Sequence, residues 1–421
     1  MSVRPAAGIR AQVVATTMTL LAVSCEGNRP AAAENSAEEF GGVAVADTNE
    51  DFKPPSRADR EELRVLPKSQ AVVATDRFNS ARVCGACHQE IFEHWSRSMH
   101  ALAYEDPIFK SAFLRAYYET GGEAAALCLR CHSPTVTETK DFLGKQDITR
   151  EGITCDYCHS ISGITQDKDG VTHVTIDHST RSSPFELHGE PPSAHAMRYR
   201  GYFARSEMCA SCHDYTAANG TMVFATYSEW RASHYAREGV QCQQCHMPRL
   251  RDAEPGRVFN DHNLVGGHSS AQLMRAATVA IQEIVRDGDR VRVVVTVENS
   301  GAGHYLPTGL PSRMLVVEAT ATQRNRTIFR QEVVYQRVMQ GEDQRPLVED
   351  WKINLLSKYV LRDNRLSPGE TRRETFVFDA TSDDDVIVRV QVVYRYRPTI
   401  DNERLMEVPI TEFEKVLVRG S

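Results

Sequence analysis

Five stretches of this 421-residue sequence repeat the pattern Cys-x-x-Cys-His. They are Cys84-Gly-Ala-Cys87-His88, Cys128-Leu-Arg-Cys131-His132, Cys155-Asp-Tyr-Cys158-His159, Cys209-Ala-Ser-Cys212-His213 and Cys242-Gln-Gln-Cys245-His246, and together they use ten of the eleven cysteines. Two thiols three residues apart share one turn, so both can add to the vinyl groups of a porphyrin. The adjacent imidazole then projects beneath the ring toward the iron. A disulfide framework would not place a histidine after every second cysteine. Zinc ribbons use CxxC pairs in twos and do not require the histidine each time. The pattern implies five covalently attached haem c groups, with His88, His132, His159, His213 and His246 as proximal iron ligands.

Ten other histidines remain: His94, His100, His173, His178, His188, His195, His234, His262, His268 and His304. Five irons need at most five distal ligands, so not all of these serve. Met99, Met197, Met208, Met222 and Met247 also lie in the cysteine-rich region, and a distal methionine would raise the potential. Nothing in their spacing favours them over histidine, and packing against porphyrin is the simpler role for them. Arg82 and Arg130, next to motifs, are candidates to pair with haem propionates.

On these motifs the chain resembles the periplasmic multihaem cytochromes c that include the tetrahaem carrier of nitrifying bacteria, with distant kin among the multihaem nitrite and hydroxylamine enzymes. The resemblance covers about residues 80–310. It rests on Trp95-Ser-Arg-Ser-Met-His100, echoed by Trp230-Arg-Ala-Ser-His234, on Glu151-Gly-Ile-Thr-Cys155, and on Gly301-Ala-Gly-His304-Tyr-Leu-Pro307-Thr-Gly309. It implies that His100 and His234 are distal ligands, often to a haem other than the nearest in sequence. The Pro191-Pro192-Ser-Ala-His195 stretch suggests His195 as a third. In Asp261–His268 both His262 and His268 are candidates, and His262 fits the pattern better. His304 is implied to reach back to a haem and join the C-terminal domain to the haem domain. His94, His173, His178 and His188 are left to solvent or propionates.

The positioning framework reads as a multidomain chain. Residues 1–25 carry Arg4 and Arg10 before an apolar stretch of secretory length, the pattern of an export signal rather than a membrane span. It ends at Leu21-Ala22-Val23-Ser24-Cys25, which looks like a lipoprotein box that would anchor Cys25 to lipid; the alternative is soluble export with cleavage at Ala31–Ala33. Residues 26–75 are poor in large apolar side chains and read as a disordered tether. Residues 76–275 hold the motifs on short, interrupted helical segments, a mostly α-helical, loop-rich haem domain whose core the porphyrins would supply. Residues 276–421 contain no cysteine. Alternating runs at Thr278–Val285, Asp289–Glu298, Arg313–Thr322, Thr327–Val334, Glu374–Phe378, Val386–Tyr396 and Phe413–Val418, without intervening helices, suggest an immunoglobulin-like β-sandwich.

The net charge of −7 gives no case for nucleic-acid binding. The expected function is electron relay outside the cytoplasm, in the periplasm or at the cell surface. Its partners would be redox proteins: a quinol-oxidising complex, other cytochromes or a terminal reductase. All five motifs end in His, so the CxxCK mark of pentahaem nitrite reductase is absent, and the spare histidines suit six-coordinate irons. The alternatives are a reductase of a small nitrogen or sulfur oxyanion with one open haem, a filament subunit, and a subunit docked to a membrane complex.

Overall fold

The structure is a computed structural model and describes residues 65–168, 170–186, 194–251, 258–396 and 406–418. The export signal, Cys25, the tether up to residue 64 and His188 lie outside these residues. Residues 65–75, expected to end the tether, are instead tied down. Leu66 N–H donates to the Arg82 carbonyl at 3.2 Å, Asn79 exchanges hydrogen bonds with Ala74, and Val65 packs on Ala81, Phe92 and Trp95. Two apolar residues at the end of a polar segment suffice to dock it. Among the described residues no helix is long and apolar enough to cross a membrane.

The cysteine-rich half is built of short helices with strong local stops. The longest, Pro107–Glu119, starts with an Asp106 cap and a proline in its first turn, and it ends before Gly121 and Gly122, both at positive φ. Four two-stranded sheets interleave with the helices: Ile161–Gln166 with Thr172–Ile176, Arg181–Ser183 with Met197–Tyr199, Asp214–Thr216 with Met222–Ala225, and Arg249–Arg251 with Val258–Asn260. The expectation of a mostly helical region is amended accordingly. Strands of three to six residues carry too little alternation to be read from sequence. Apolar clusters here are small, for example Tyr104, Phe113, Ala125, Leu129 and Val136.

The C-terminal half has a large core of its own. Its strands are β1 (Ala277–Asp287), β2 (Arg290–Asn299), β3 (Met314–Gln323), β4 (Arg326–Tyr335), β5 (Thr371–Asp379), β6 (Val386–Tyr396) and β7 (Met406–Leu417). They form two antiparallel sheets, ordered β5-β2-β1 and β4-β3-β6-β7. Val291, Val293, Val295 and Val297 of β2 share one buried cluster with Leu315 and Val317 of β3 and Val388, Val390 and Val392 of β6. Alternate side chains of each sheet thus meet in a common interior. Gly288, at φ 58°, makes the tight turn between β1 and β2.

One expectation fails here: a helix does interrupt the strands. Between β4 and β5, Arg337–Gln340 pairs with Tyr359–Asp363 around a helix at Asp350–Leu356. This insertion docks on the haem half. Met339 and Ile353 are buried with Tyr215 and Val223, the Tyr215 hydroxyl donates to Asn354 O at 3.0 Å, and Arg337 donates to Met222 O at 2.9 Å.

Candidate haem sites

Each CxxCH motif occupies one helical turn. His88 N–H donates to Cys84 O at 2.9 Å, and the other four lie in the helices Ala124–His132, Cys155–His159, Glu207–His213 and Cys242–His246. Local caps hold these turns: Thr154 accepts from Tyr157 N–H, and Gln241 and Gln244 form a capping box before Cys242–His246. None of the ten motif thiols is in a disulfide. Thiols of different motifs lie near enough to perturb one another's ionisation, Cys84 and Cys155, Cys131 and Cys212, and Cys209 and Cys242.

The imidazoles give the most informative geometry. Ring centroids are 6.4 Å apart for His88 and His195, 6.3 Å for His213 and His100, and 6.3 Å for His246 and His304. Two metal–imidazole bonds of about 2 Å in line, plus about 1.15 Å from nitrogen to centroid in each ring, sum to about 6.3 Å. These pairs are too far apart for contact and spaced as two axial ligands of one metal require. The residues therefore fit haem iron.

Tautomers agree with this. Nδ1–H donates to a backbone carbonyl in His132 (Ala103, 3.0 Å), His159 (Ser182, 2.8 Å), His246 (Val265, 2.7 Å), His262 (Asn260, 2.6 Å) and His304 (Tyr305, 2.9 Å). That bond leaves Nε2 with its lone pair for a metal. Burial is the main force holding these rings neutral. It lowers His100 to about 3 and His132 and His262 to about 4, neighbouring histidine charges adding to the effect at His100 and His262. His159 is the first of the charges acting on His262, which places those two rings in one neighbourhood. His268 stacks on Tyr396 at 4.5 Å. His173 and His178 turn Nε2 to Asp167 and Glu138, and His94 turns Nδ1 to Asp261, each at 2.8–2.9 Å.

His234 is placed differently from the expectation. Each Trp element ties down a segment before a motif: Trp95 Nε1 donates to Ile153 O at 2.9 Å, ahead of the third motif, and Trp230 Nε1 to Val240 O at 2.8 Å, ahead of the fifth, each two residues before a motif cysteine. Ser98 then caps the helix Met99–Leu102, accepting from Ala101 N–H, while Ser233 stands at the start of His234–Arg237 and donates to Trp230 O at 2.7 Å. The second element lacks one residue, so His234 stands where Met99 does and Tyr235 stands where His100 does. One residue rotates a helical side chain by about 100°. His234 lies against the Tyr235 ring at 4.2 Å rather than opposite a proximal histidine. Tyr235 reaches the His304 loop, where its hydroxyl donates to Ser300 O at 3.3 Å.

The His304 loop is clamped from below by a buried ion pair that the sequence reading missed. Glu229 accepts from Tyr305 N–H at 3.2 Å and Thr308 Oγ1 at 2.7 Å, and it pairs with Arg365 at 2.8 Å. Arg365 also bonds Asp363 at 2.8 Å and Pro307 O at 3.2 Å. The two charged side chains are only 7% and 5% exposed. Glu229 directly precedes Trp230, and that adjacency was the available signal.

Two expected outcomes arise here. Gly152, at φ 67°, sits so that a Cβ would come within 2.5 Å of His100 O. Gly152→Ala should cost about 1–3 kcal/mol, read by chemical denaturation, and disturb the His100 site. Glu151, bonded to Ser80 and to Ala81 N–H, is raised by burial from 4.5 to about 7. The folded state then binds the proton more tightly than the unfolded chain, so this group's contribution is complete below 4.5 and is lost as pH rises through about 7. Urea unfolding at pH 5 and pH 8 should show a smaller loss of stability in Glu151→Gln than in the unmodified protein.

Comparison with known proteins agrees with this geometry. Residues 83–160 match the family described as cytochrome c554 and c-prime. The fold is similar to that of a penta-heme cytochrome c552 from Thermochromatium tepidum, at 23% identity and a TM-score of 0.65, covering 80% of this chain and 99% of that one. A beta-glucosidase from Kluyveromyces marxianus aligns over 33% of this chain and 14% of its own, at 11% identity and a TM-score of 0.15, too little to bear on the fold. No curated protein sequence matches the chain. The five motifs and the family segment over residues 83–160 mark c-type haem attachment, and the structural likeness shows the shared fold.

Proposed function

We propose that the chain is an exported pentahaem relay, with mainly bis-histidine haems held at the five CxxCH motifs. The observation that carries this reading is the set of three imidazole pairs at axial spacing, each joining a motif to a histidine elsewhere in the chain. Bound haem supplies the redox chemistry. The protein's part is to keep the ligand set constant between oxidised and reduced states, which suits a carrier.

The neighbouring thiols suggest the order of the relay: motif 1 beside motif 3, motif 2 beside motif 4, and motif 4 beside motif 5. Tyr157 feels the thiols of motifs 2, 3 and 4 and would sit at the branch. Motif 1 is the natural port, because Cys87 is exposed while the other nine motif thiols are part-buried. There a redox partner, a quinol-oxidising complex or another cytochrome, would exchange electrons. His195 is then the distal ligand at motif 1, His100 at motif 4, His304 at motif 5 and His262 at motif 3. The two facing C-terminal sheets would form an immunoglobulin-like sandwich that braces motif 5, with Cys25 as a lipid anchor.

Stepwise reduction of the holoprotein followed by EPR tests the reading. Low-spin signals should dominate, and electrons should equilibrate among the haems faster than they exchange with a mediator. A majority of high-spin irons would refute a bis-histidine relay.

A further inference from the structure

Asp156 lies between the cysteines of the third motif and is 1% exposed, and Arg181, 7% exposed, pairs with it. Arg181 Nε stands 2.5 Å from Asp156 Oδ1, and Nη2 donates to Oδ2 at 3.3 Å. Oδ2 also accepts from Asn79 N–H at 2.7 Å and from Asn79 Nδ2 at 3.0 Å. The guanidinium donates further to His178 O at 2.5 Å and to Ala74 O at 3.1 Å. A buried ion pair is weak evidence for stability and better attested as a device that fixes one arrangement. What this pair fixes is the strand Arg181–Ser183, which lies parallel to Met197–Tyr199. Arg181 N–H donates to Ala196 O at 2.8 Å, and that carbonyl is also 3.4 Å from His195 Nδ1. The next residue, Ser182, accepts from His159 Nδ1 at 2.8 Å and is itself tied through Oγ to Ile161 O at 2.6 Å. Two successive residues of one strand thus hold His159 of motif 3 and the neighbour of His195, whose ring faces His88 of motif 1 at 6.4 Å.

We propose that Arg181 and Asp156 are positioning residues that fix the axial ligands of two haems at once, His159 at motif 3 and His195 at motif 1. The inference rests on the haem reading and adds to it a single frame for two neighbouring stations of the relay. The outer hydrogen-bond partner of an imidazole sets both its orientation and its strength as a ligand. One frame for both rings keeps the step in potential between the two haems constant while electrons pass.

The test uses Arg181→Lys holoprotein, which keeps the charge and loses the fork. Haem is counted first: fewer than five in the unmodified protein would defeat the haem reading itself, whatever Arg181 does. Spectroelectrochemical titration should then show two midpoints displaced and three unchanged. The motif 3 midpoint, identified by its absence when Cys155 and Cys158 are replaced, should rise, because an imidazole whose Nδ1–H bond is loosened donates less to ferric iron. EPR should show altered g values for the same two low-spin irons, since these follow the mutual angle of the axial rings. Asn79→Ala, which loosens Asp156 but leaves the ion pair, serves should Arg181→Lys not fold, and it should move the same two midpoints by less. Five unchanged midpoints with unaltered g values would overturn the proposal, and the pair would then be seen only as lost stability in denaturation. Displacement of the motif 3 midpoint alone would equally overturn it, because His195 would not share the frame.

Discussion

Replacing His304 by alanine should convert one low-spin iron to high spin while leaving the haem count unchanged. On the proposed assignment Cys242 and Cys245 would hold the haem and His246 would remain as a ligand, so the loss would be confined to the ligand that His304 supplies. His304 is 6.3 Å from His246, centroid to centroid, and nearly parallel to it at 19°. The nearest replacement, Tyr235, is engaged with Ser300. EPR of the ferric protein reads the change, and imidazole added from solution should restore the low-spin signal. The midpoint of that haem should shift, since axial ligand identity is a principal lever on potential. An unaltered EPR spectrum would remove His304 from the ligand set and with it the link between the halves through iron.

Arg365→Met should destabilise the protein by about 3–5 kcal/mol, because it leaves the Glu229 carboxylate, 7% exposed, without its cation. Glu229 is the acceptor that fixes Tyr305 and Thr308 on the His304 loop, so the loop should loosen together with the fold. Chemical denaturation gives the energy. The EPR of the motif 5 iron separates a positioning effect from a purely structural one, since a structural defect alone would leave the remaining folded molecules low-spin. Pairing Arg365→Met with Glu229→Gln should cost less than the sum of the single changes, as expected for groups in contact.

How far the sequence could be read depended on the length scale of the signal. The five CxxCH motifs declare themselves because their chemistry is local to one turn. The strands of the C-terminal half were legible because ten-residue alternations such as Arg290–Asn299 outlast chance. The insertion at 337–363 was missed: Tyr359–Asp363 is exposed throughout and shows no alternation. The hairpins of the haem half are shorter still.

Distal ligands were harder, since an axial pair would join residues far apart in the chain, such as His88 and His195, whose ring centroids stand 6.4 Å apart. Likeness between the two Trp elements suggested His234, and the single missing residue puts Tyr235 in the equivalent place. The Glu229–Arg365 clamp comes from a pairing across the two halves that no local pattern reports.

The most direct test of the central claim is intact mass spectrometry of the protein matured with the c-type attachment machinery, alongside five variants each lacking the two cysteines of one motif. The account requires five haem additions to the unmodified chain and four to every variant. Fewer than five on the unmodified chain, or a variant that keeps the full number, would contradict it.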